Sequence, residues 1–88
     1  MTTETSTLLA ERGKTHGDFT EHAMITQMLK AAMTTNEGWT RLTHVQREAL
    51  EMIVHKIGRI IAGRPDFRDH WDDIAGYAKL VADRCPKE

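Results

Sequence analysis

Residues 43–77, THVQREALEMIVHKIGRIIAGRPDFRDHWDDIAGY, contain the pattern that decides the fold. Thr43 followed by Gln46 matches a capping box, which predicts that a helix begins there. The helix should continue to about Ala62, because the Gly-Arg-Pro sequence at residues 63–65 is typical of a helix end and a turn. Its apolar ridge is predicted to consist of Ala49, Ile53, Ile57 and Ile60, with Leu50 and Ile61 beside it.

A second helix is predicted after this turn. It should begin between Asp66 and Asp69 and run to about Arg84, because Pro86 prevents continuation. The apolar stripe that this helix is expected to bury consists of Trp71, Ile74, Ala78 and Val81, flanked by Ala75 and Ala82.

Upstream of residue 43, the pattern predicts one long helix and one short helix. Asp18 followed by Glu21 is a capping-box variant, so a helix is predicted from about Phe19 to Met33. The short helix should cover residues 8–12 and end at Gly13. The apolar surface of the long helix is predicted to consist of Phe19, Ala23, Ile25, Met28, Leu29, Ala32 and Met33.

The chain as a whole is predicted to form one all-α domain over residues 1–88, a compact helical bundle of three long helices plus a short N-terminal helix. A hydrophobic fraction of 40% and a charged fraction of 28% are those of a soluble globular protein. A core drawn from 88 residues is small. We therefore expect a homo-oligomer, a dimer or a tetramer, to complete the burial.

Charge and cysteine content narrow the classes of function. A net charge of -1 argues against a general nucleic-acid binder, which is normally basic. A helix-turn-helix is disfavoured as well, because the last helix is acidic and would face DNA phosphates. No apolar run is long enough to span a membrane, and no basic segment precedes the first leucines as in a secretory signal. With Cys85 as the single cysteine, we predict a cytoplasmic protein.

Acidic residues recur on both helices of the decisive stretch. His44, Glu48, Glu51, His55 and Arg59 share one face of the first helix, nearly opposite its apolar ridge. This face is either solvated or part of a ligand groove. On the second helix, Asp69 and Asp73 share a face that Tyr77 borders, and such a carboxylate pair is repulsive unless a cation or a basic residue offsets it. Mg²⁺ is a suitable cation, since it prefers oxygen ligands.

The loop at residues 12–19, RGKTHGDF, leads into the N-terminus of a predicted helix, which is a usual place for phosphate. Lys14 and His16 are therefore candidate phosphate ligands. Asp18 would compete with an anion there, so an ordinary structural turn is the alternative interpretation.

Three short motifs carry a resemblance to a known family. They are HGDF at residues 16–19, KIGRI at residues 56–60, and DHWDD at residues 69–73 followed by Gly76-Tyr77. With these motifs the chain resembles the MazG-like all-α nucleotide pyrophosphohydrolases. It is most similar to a phage-associated branch known as the nucleotide-modification-associated domain.

This resemblance implies Mg²⁺-dependent cleavage of a nucleoside triphosphate to a monophosphate and pyrophosphate, in phage nucleotide metabolism. The family's E-E-x-x-E pattern falls on residues 47–51, where Arg47 replaces an acid. Its E-x-x-D pattern falls on residues 70–73, where His70 replaces an acid and Asp69 is the available substitute.

The roles implied by the resemblance fall on acidic and basic groups of the two helices. Glu48, Glu51 and Asp73 would be catalytic, and the metal ligands would be Glu48, Glu51, Asp69 and Asp73. Lys56 and Arg59 would stabilise charge on the leaving pyrophosphate. With Lys14, His16 and Tyr77, they complete the candidate phosphate and substrate contacts.

A different class of function also accounts for the pattern. The chain would then be a non-catalytic helical phage accessory protein that acts by protein–protein interaction. That interpretation assigns the contacts to apolar residues, namely Trp39, Met24 and Met28.

Overall fold

The computed structural model describes residues 8–9 and 16–87, and all regular secondary structure in this part of the chain is helical. None of its helices is long and apolar enough to cross a membrane. The elements are α1 (Phe19–Thr34), a 3₁₀ turn (Glu37–Arg41), α2 (His44–Ala62) and α3 (Arg68–Ala82).

The helix ends lie close to where local sequence chemistry predicts them. The capping box of α2 is complete: the Gln46 backbone N–H donates to Thr43 Oγ1 at 3.1 Å, and the Thr43 N–H donates to Gln46 Oε1 at 2.9 Å. Asp18 caps α1 by accepting from the Glu21 N–H at 3.3 Å. The third helix ends at Ala82, slightly earlier than predicted. Its N-cap, Phe67, makes no side-chain capping bond.

Only part of the predicted N-terminal helix can be compared with the structure. Leu8 and Leu9 are helical. The remainder of the prediction for residues 8–12 lies outside the described residues.

The central helix α2 packs against both α1 and α3. From α1, the buried residues are His22 and Thr26, and the Thr26 hydroxyl donates to the backbone carbonyl of His22. The predicted apolar surface of α1 is therefore wrong at Phe19 and Met28, which are 76% and 67% exposed. His22 can be buried between α1 and α2 because it packs on Gly58 of α2, which has no side chain to exclude the imidazole ring.

Burial on α2 also departs from the predicted ridge. Ala49 is buried as predicted, but the other buried positions are Val54 and Gly58. Leu50 and Ile61, at 40% and 60% exposure, are on the surface. The half-buried remainder of the ridge consists of Ile53, Ile57 and Ile60.

The polar face of α2 explains this difference, because α1 packs against it. The imidazole of His22 lies within hydrogen-bonding distance of the His55 carbonyl, at 3.2 Å. Glu51, His55 and Arg59 are consequently half-buried, and a fully solvated face is wrong for them. His44 and Glu48, nearer the start of α2, are exposed.

On α3, the most buried residue is a histidine instead of a member of the predicted stripe. His70 is 1% exposed. Ile74 and Val81 are half-buried, in part agreement with the prediction, but Ala78 is exposed. Trp71 is 52% exposed and its indole N–H donates to the Pro65 carbonyl at 2.7 Å, so the indole covers the turn before α3.

The two glycines inside helices predict opposite effects of alanine. A Cβ on Gly58 would lie 2.5 Å from His22 Cδ2, whereas a Cβ on Gly76 would meet nothing within 4 Å. Gly58→Ala should lower the free energy of unfolding by about 1–2 kcal/mol, since overpacking outweighs the gain in helix propensity. Gly76→Ala should raise it by about 0.5–1 kcal/mol. Urea denaturation of both variants checks this, and equal effects would contradict the close contact at Gly58.

Candidate functional site

The turn before α1 lies directly against the end of α2. Gly17 has φ 79°, and a Cβ there would lie 2.0 Å from the Ala62 carbonyl oxygen. No side chain fits between these two backbone segments, so the turn can approach α2 only with glycine at this position. The contact brings the first motif, at residues 16–19, beside the C-terminal half of α2.

A cleft of about 450 Å³ opens where this turn, the first residues of α1 and the side of α2 meet. Its described lining consists of Leu9, His16, Gly17, Asp18, Phe19, His22 and Arg59. The volume lies within the range of small-molecule sites, which is about 300–1,000 Å³. Arg59 supplies a permanent positive charge and Asp18 a negative one, and His16 and His22 supply imidazole rings.

The imidazole of His16 is held at the cleft by α3. His16 Nδ1 lies 3.1 Å from His70 Nε2, so one ring nitrogen donates to the other. The Phe67 ring packs edge-on against both imidazoles, with ring centroids 6.2 Å from His16 and 4.9 Å from His70. Because His70 is buried, it forms a fixed support for a side chain that reaches the cleft.

Two further histidines form the contact between α1 and α2. His22 Nε2 donates to the His55 carbonyl at 3.2 Å. Burial lowers the pKa of His22 below its ordinary value of 6.5, and the nearby charge of Arg59 lowers it further. Burial also lowers the pKa of His55, and so does the Lys30 ammonium, which lies 3.2 Å from His55 Nε2. Both rings are therefore neutral at pH 7.

These shifts predict an acid-sensitive fold. Between the ordinary histidine pKa of 6.5 and the lowered values, the unfolded chain binds more protons than the folded chain. The free energy of unfolding should therefore be constant above about pH 7.5 and fall as the pH drops below 6.5. Urea denaturation between pH 5 and 8 checks this. His55→Gln should reduce the slope, and the control His44→Gln, at an exposed position, should not. A pH-independent stability would contradict the burial of neutral rings.

The predicted metal ligands have other partners or lie exposed on the surface. Asp73 binds Lys56 at 2.7 Å, and the hydrogen bond from this ammonium lowers the pKa of the Asp73 carboxyl. Glu51 lies 3.9 Å from the Lys30 ammonium, while Glu48 and Asp69 are exposed. Within the described residues, no three His, Cys, Asp or Glu side chains are placed to hold a metal ion together. The magnesium site therefore stays a prediction.

The predicted phosphate contacts that the structure describes lie in three different places. Arg59 and His16 line the cleft. Lys56 points instead at Asp73, with only 12% of its side chain exposed. Tyr77 lies at a second cavity of about 420 Å³, lined by Asp72, Asp73, Gly76, Tyr77 and Leu80. Lys14 lies outside the described residues.

The two positions where the family pattern has an acid carry structural roles in this chain. Arg47 donates from Nε to the Trp39 carbonyl at 3.2 Å and from a terminal nitrogen to the Thr40 carbonyl at 3.1 Å. Its guanidinium also lies 5.9 Å from the centre of the Trp39 ring. Arg47 thus connects the 3₁₀ turn to α2 by hydrogen bonds. His70 is buried and bonds to His16.

Phe19 ends the first motif, but the sequence pattern does not single out its side chain, or that of His22, as a ligand contact. The pattern assigns Phe19 to the apolar surface of its helix, and it gives His22 no role. The available signal is their spacing, since residues three apart on a helix are neighbours. Their ring centroids are 6.0 Å apart.

The fold and the cleft define a small all-helical protein with an open cleft that combines an arginine, two histidines and an exposed aromatic ring. The chain belongs to the family described as domain of unknown function DUF6378, whose model matches residues 1–84. No curated protein matches the chain, and no solved structure does.

Proposed function

We propose that the cleft binds a nucleotide, with Arg59 and His16 contacting its phosphates. One observation carries the proposal: motifs that are far apart in the sequence meet at this cleft. Residues 16–19 and Arg59 of the second motif line it. His70 of the third motif bonds to His16. Separate segments that converge on one concave site are typical of ligand binding.

Arg59 is the group best placed to attract a phosphate. It makes no ion pair with any residue in the described part of the chain, whereas Lys56 is already paired with Asp73. A guanidinium suits phosphate because it donates two parallel hydrogen bonds. Asp18 opposes an anion less than its charge suggests, since its carboxylate accepts from the Glu21 N–H at the positive end of α1.

Hydrolysis and magnesium dependence are predictions of the family resemblance that this site does not by itself support. The described carboxylates do not form a ligand set for Mg²⁺. If the protein is a nucleoside triphosphate pyrophosphohydrolase, Mg²⁺ would neutralise phosphate charge, and Asp73 would have to exchange Lys56 for the metal.

Calorimetric titration with a panel of ordinary and base-modified nucleoside triphosphates tests the proposal. We expect saturable binding by at least one nucleotide, weakened at high salt because the phosphate contacts are ionic. Parallel assays for released pyrophosphate, with and without Mg²⁺, test hydrolysis, which Asp73→Asn or Glu51→Gln should abolish. If no member of the panel binds, the nucleotide proposal fails.

We also propose that a second copy of the chain covers part of the apolar surface, as in a dimer or tetramer. Among the described residues, the buried hydrophobic side chains are Ala49 and Val54. The exposed large hydrophobics on the three helices are Phe19, Met24, Met28, Val45, Leu50, Ile61, Trp71 and Leu80. Because so little apolar surface is buried inside the chain, the fold would gain stability if a partner covered these exposed side chains. A second copy of the chain is the partner that is always present at the same concentration.

Light scattering after gel filtration tests the oligomer. The expected mass is two or four times 10.0 kDa. Leu50→Gln with Ile61→Gln, on the exposed apolar side of α2, should shift the mass toward one chain. A stable species of 10.0 kDa at micromolar concentration would contradict the proposal.

The alternative function is a non-catalytic phage accessory protein in the cytoplasm that binds another protein. Its support is the exposure of Met24 and Met28 on α1, at 58% and 67%. Trp39 supports it less, since it is half-buried against Arg47. This alternative predicts that Arg59→Met is harmless in the phage or host, while Met24→Ser with Met28→Ser abolishes function.

A further inference from the structure

The ring of Phe19 occupies an unusual position for a large aromatic side chain. It belongs to the first residue of α1 and is 76% exposed, the most exposed of the large hydrophobic side chains in the described chain. Burial of a phenylalanine side chain normally stabilises a fold, because it removes a large apolar area from water. Here that stabilisation is not realised inside the chain, and the ring lines the cleft instead.

The ring is nevertheless supported from one side. Its centroid lies 6.0 Å from that of His22, with the planes inclined at 62°, an edge-to-face arrangement. His22 is itself buried against Gly58 and bonded to the His55 carbonyl. A fixed imidazole therefore limits the movement of Phe19 while most of the phenyl ring stays open to solvent.

The charged part of the same cleft suits a different portion of a ligand. Arg59 and His16 offer hydrogen-bond donors for phosphate, and Phe19 offers only a flat apolar ring. A free phosphate or polyphosphate has no group that would use the ring. A nucleotide has one, because its base presents two flat faces that stack on aromatic side chains.

We propose that Phe19 is a stacking platform for the base of the bound nucleotide. The inference rests on the proposed nucleotide site and specifies how that site selects its ligand. Stacking provides affinity for any base, because every base has an aromatic face. The site therefore selects nucleotides over free polyphosphates and discriminates weakly among bases at this contact.

Calorimetric titration of the full chain with ATP, CTP and inorganic tripolyphosphate tests the inference on wild type and Phe19→Ala. Wild type should bind both nucleotides at least about 5-fold more tightly than tripolyphosphate. Phe19→Ala should weaken nucleotide binding by about 5- to 100-fold and leave tripolyphosphate binding within about twofold. Phe19→Tyr should retain nucleotide binding, since it keeps the ring.

A matched control is Met28→Ala, because Met28 is similarly exposed on α1 and does not line the cleft. It should leave all three affinities unchanged. Equal loss of nucleotide and tripolyphosphate in Phe19→Ala would overturn the stacking role, and so would a change in oligomer mass on gel filtration. If Phe19→Ala binds the nucleotides as tightly as wild type, the stacking role is overturned, but the proposed nucleotide site is not. Absence of binding by all three ligands to wild type overturns the nucleotide site with it.

Discussion

Gly17→Ala should lower the free energy of unfolding by about 3–5 kcal/mol, which is large for a single substitution. The backbone at this position has φ 79°, a region that costs an alanine about 1–2 kcal/mol. The added Cβ would also lie 2.0 Å from the Ala62 oxygen and 2.2 Å from the Ala62 carbonyl carbon. The Ala62 carbonyl belongs to the helix backbone and cannot rotate away from the added Cβ. The turn that contains residue 17 must therefore move away from α2.

Gly17→Asn separates the two causes of this effect. Asparagine tolerates positive φ better than alanine, but its Cβ meets the same carbonyl. If the contact with Ala62 dominates, Gly17→Asn should be nearly as destabilising as Gly17→Ala in urea denaturation. Gly76→Ala, at an open helical position, is the control and should not destabilise. Recovery of most of the stability by asparagine would show that the backbone conformation matters more than the close approach.

Arg59→Met should weaken nucleotide binding by about 10- to 100-fold, because a charge-assisted hydrogen bond contributes about 1.5–3 kcal/mol. Methionine preserves much of the aliphatic length of the half-buried Arg59 side chain. Arg59→Lys should bind with intermediate affinity, since it keeps the charge but cannot donate two parallel bonds. Calorimetric titration at low salt measures the nucleotide affinity of wild type, Arg59→Met and Arg59→Lys.

The control for this substitution is Arg41→Met, which removes an exposed arginine from the 3₁₀ turn. This substitution changes the net charge by the same amount as Arg59→Met, and it should leave the nucleotide affinity unchanged. Equal weakening by both variants would indicate a general charge effect, and wild-type affinity in Arg59→Met would exclude Arg59 from the site. The thermal midpoint of each variant shows whether the fold is intact.

Helix boundaries are predictable because they are encoded in neighbouring residues. The Thr43–Gln46 capping box and the Asp18 cap form as expected, and Gly63 ends α2. Such signals act over one helical turn, so they require no knowledge of the partner element.

The buried faces are less predictable, because they depend on which helices meet. The close approach at Gly58 admits His22 to the interior, and His22 is stabilised there by the His55 carbonyl. A count of apolar residues ranks a histidine below Phe19 or Met28 for burial, although both of those are exposed. Hydropathy alone cannot reveal a tertiary hydrogen bond between residues 33 positions apart.

The sequence predicts some of the residues of the candidate site, but it does not predict how their side chains are arranged. The family resemblance implies a phosphate contact for Arg59, loop position suggests one for His16, and both side chains line the cleft. Helical spacing groups the carboxylates, but it cannot show that Lys56 approaches Asp73 from the neighbouring helix. Phe19 belongs to the first motif, but the exposure of its ring in the cleft is not predicted, because an aromatic residue in an amphipathic helix normally belongs to the core.

The most direct test of the nucleotide cleft is an NMR titration of uniformly ¹⁵N-labelled protein with the tightest-binding nucleotide of the panel. We expect the largest amide and side-chain shifts at the described cleft residues, Gly17, Asp18, Phe19, His22 and Arg59. Residues on the exposed side of α2, Leu50 and Ile61, should shift little. Saturable shifts confined to α2's exposed side or to the 3₁₀ turn, with the cleft residues unmoved, would contradict the account.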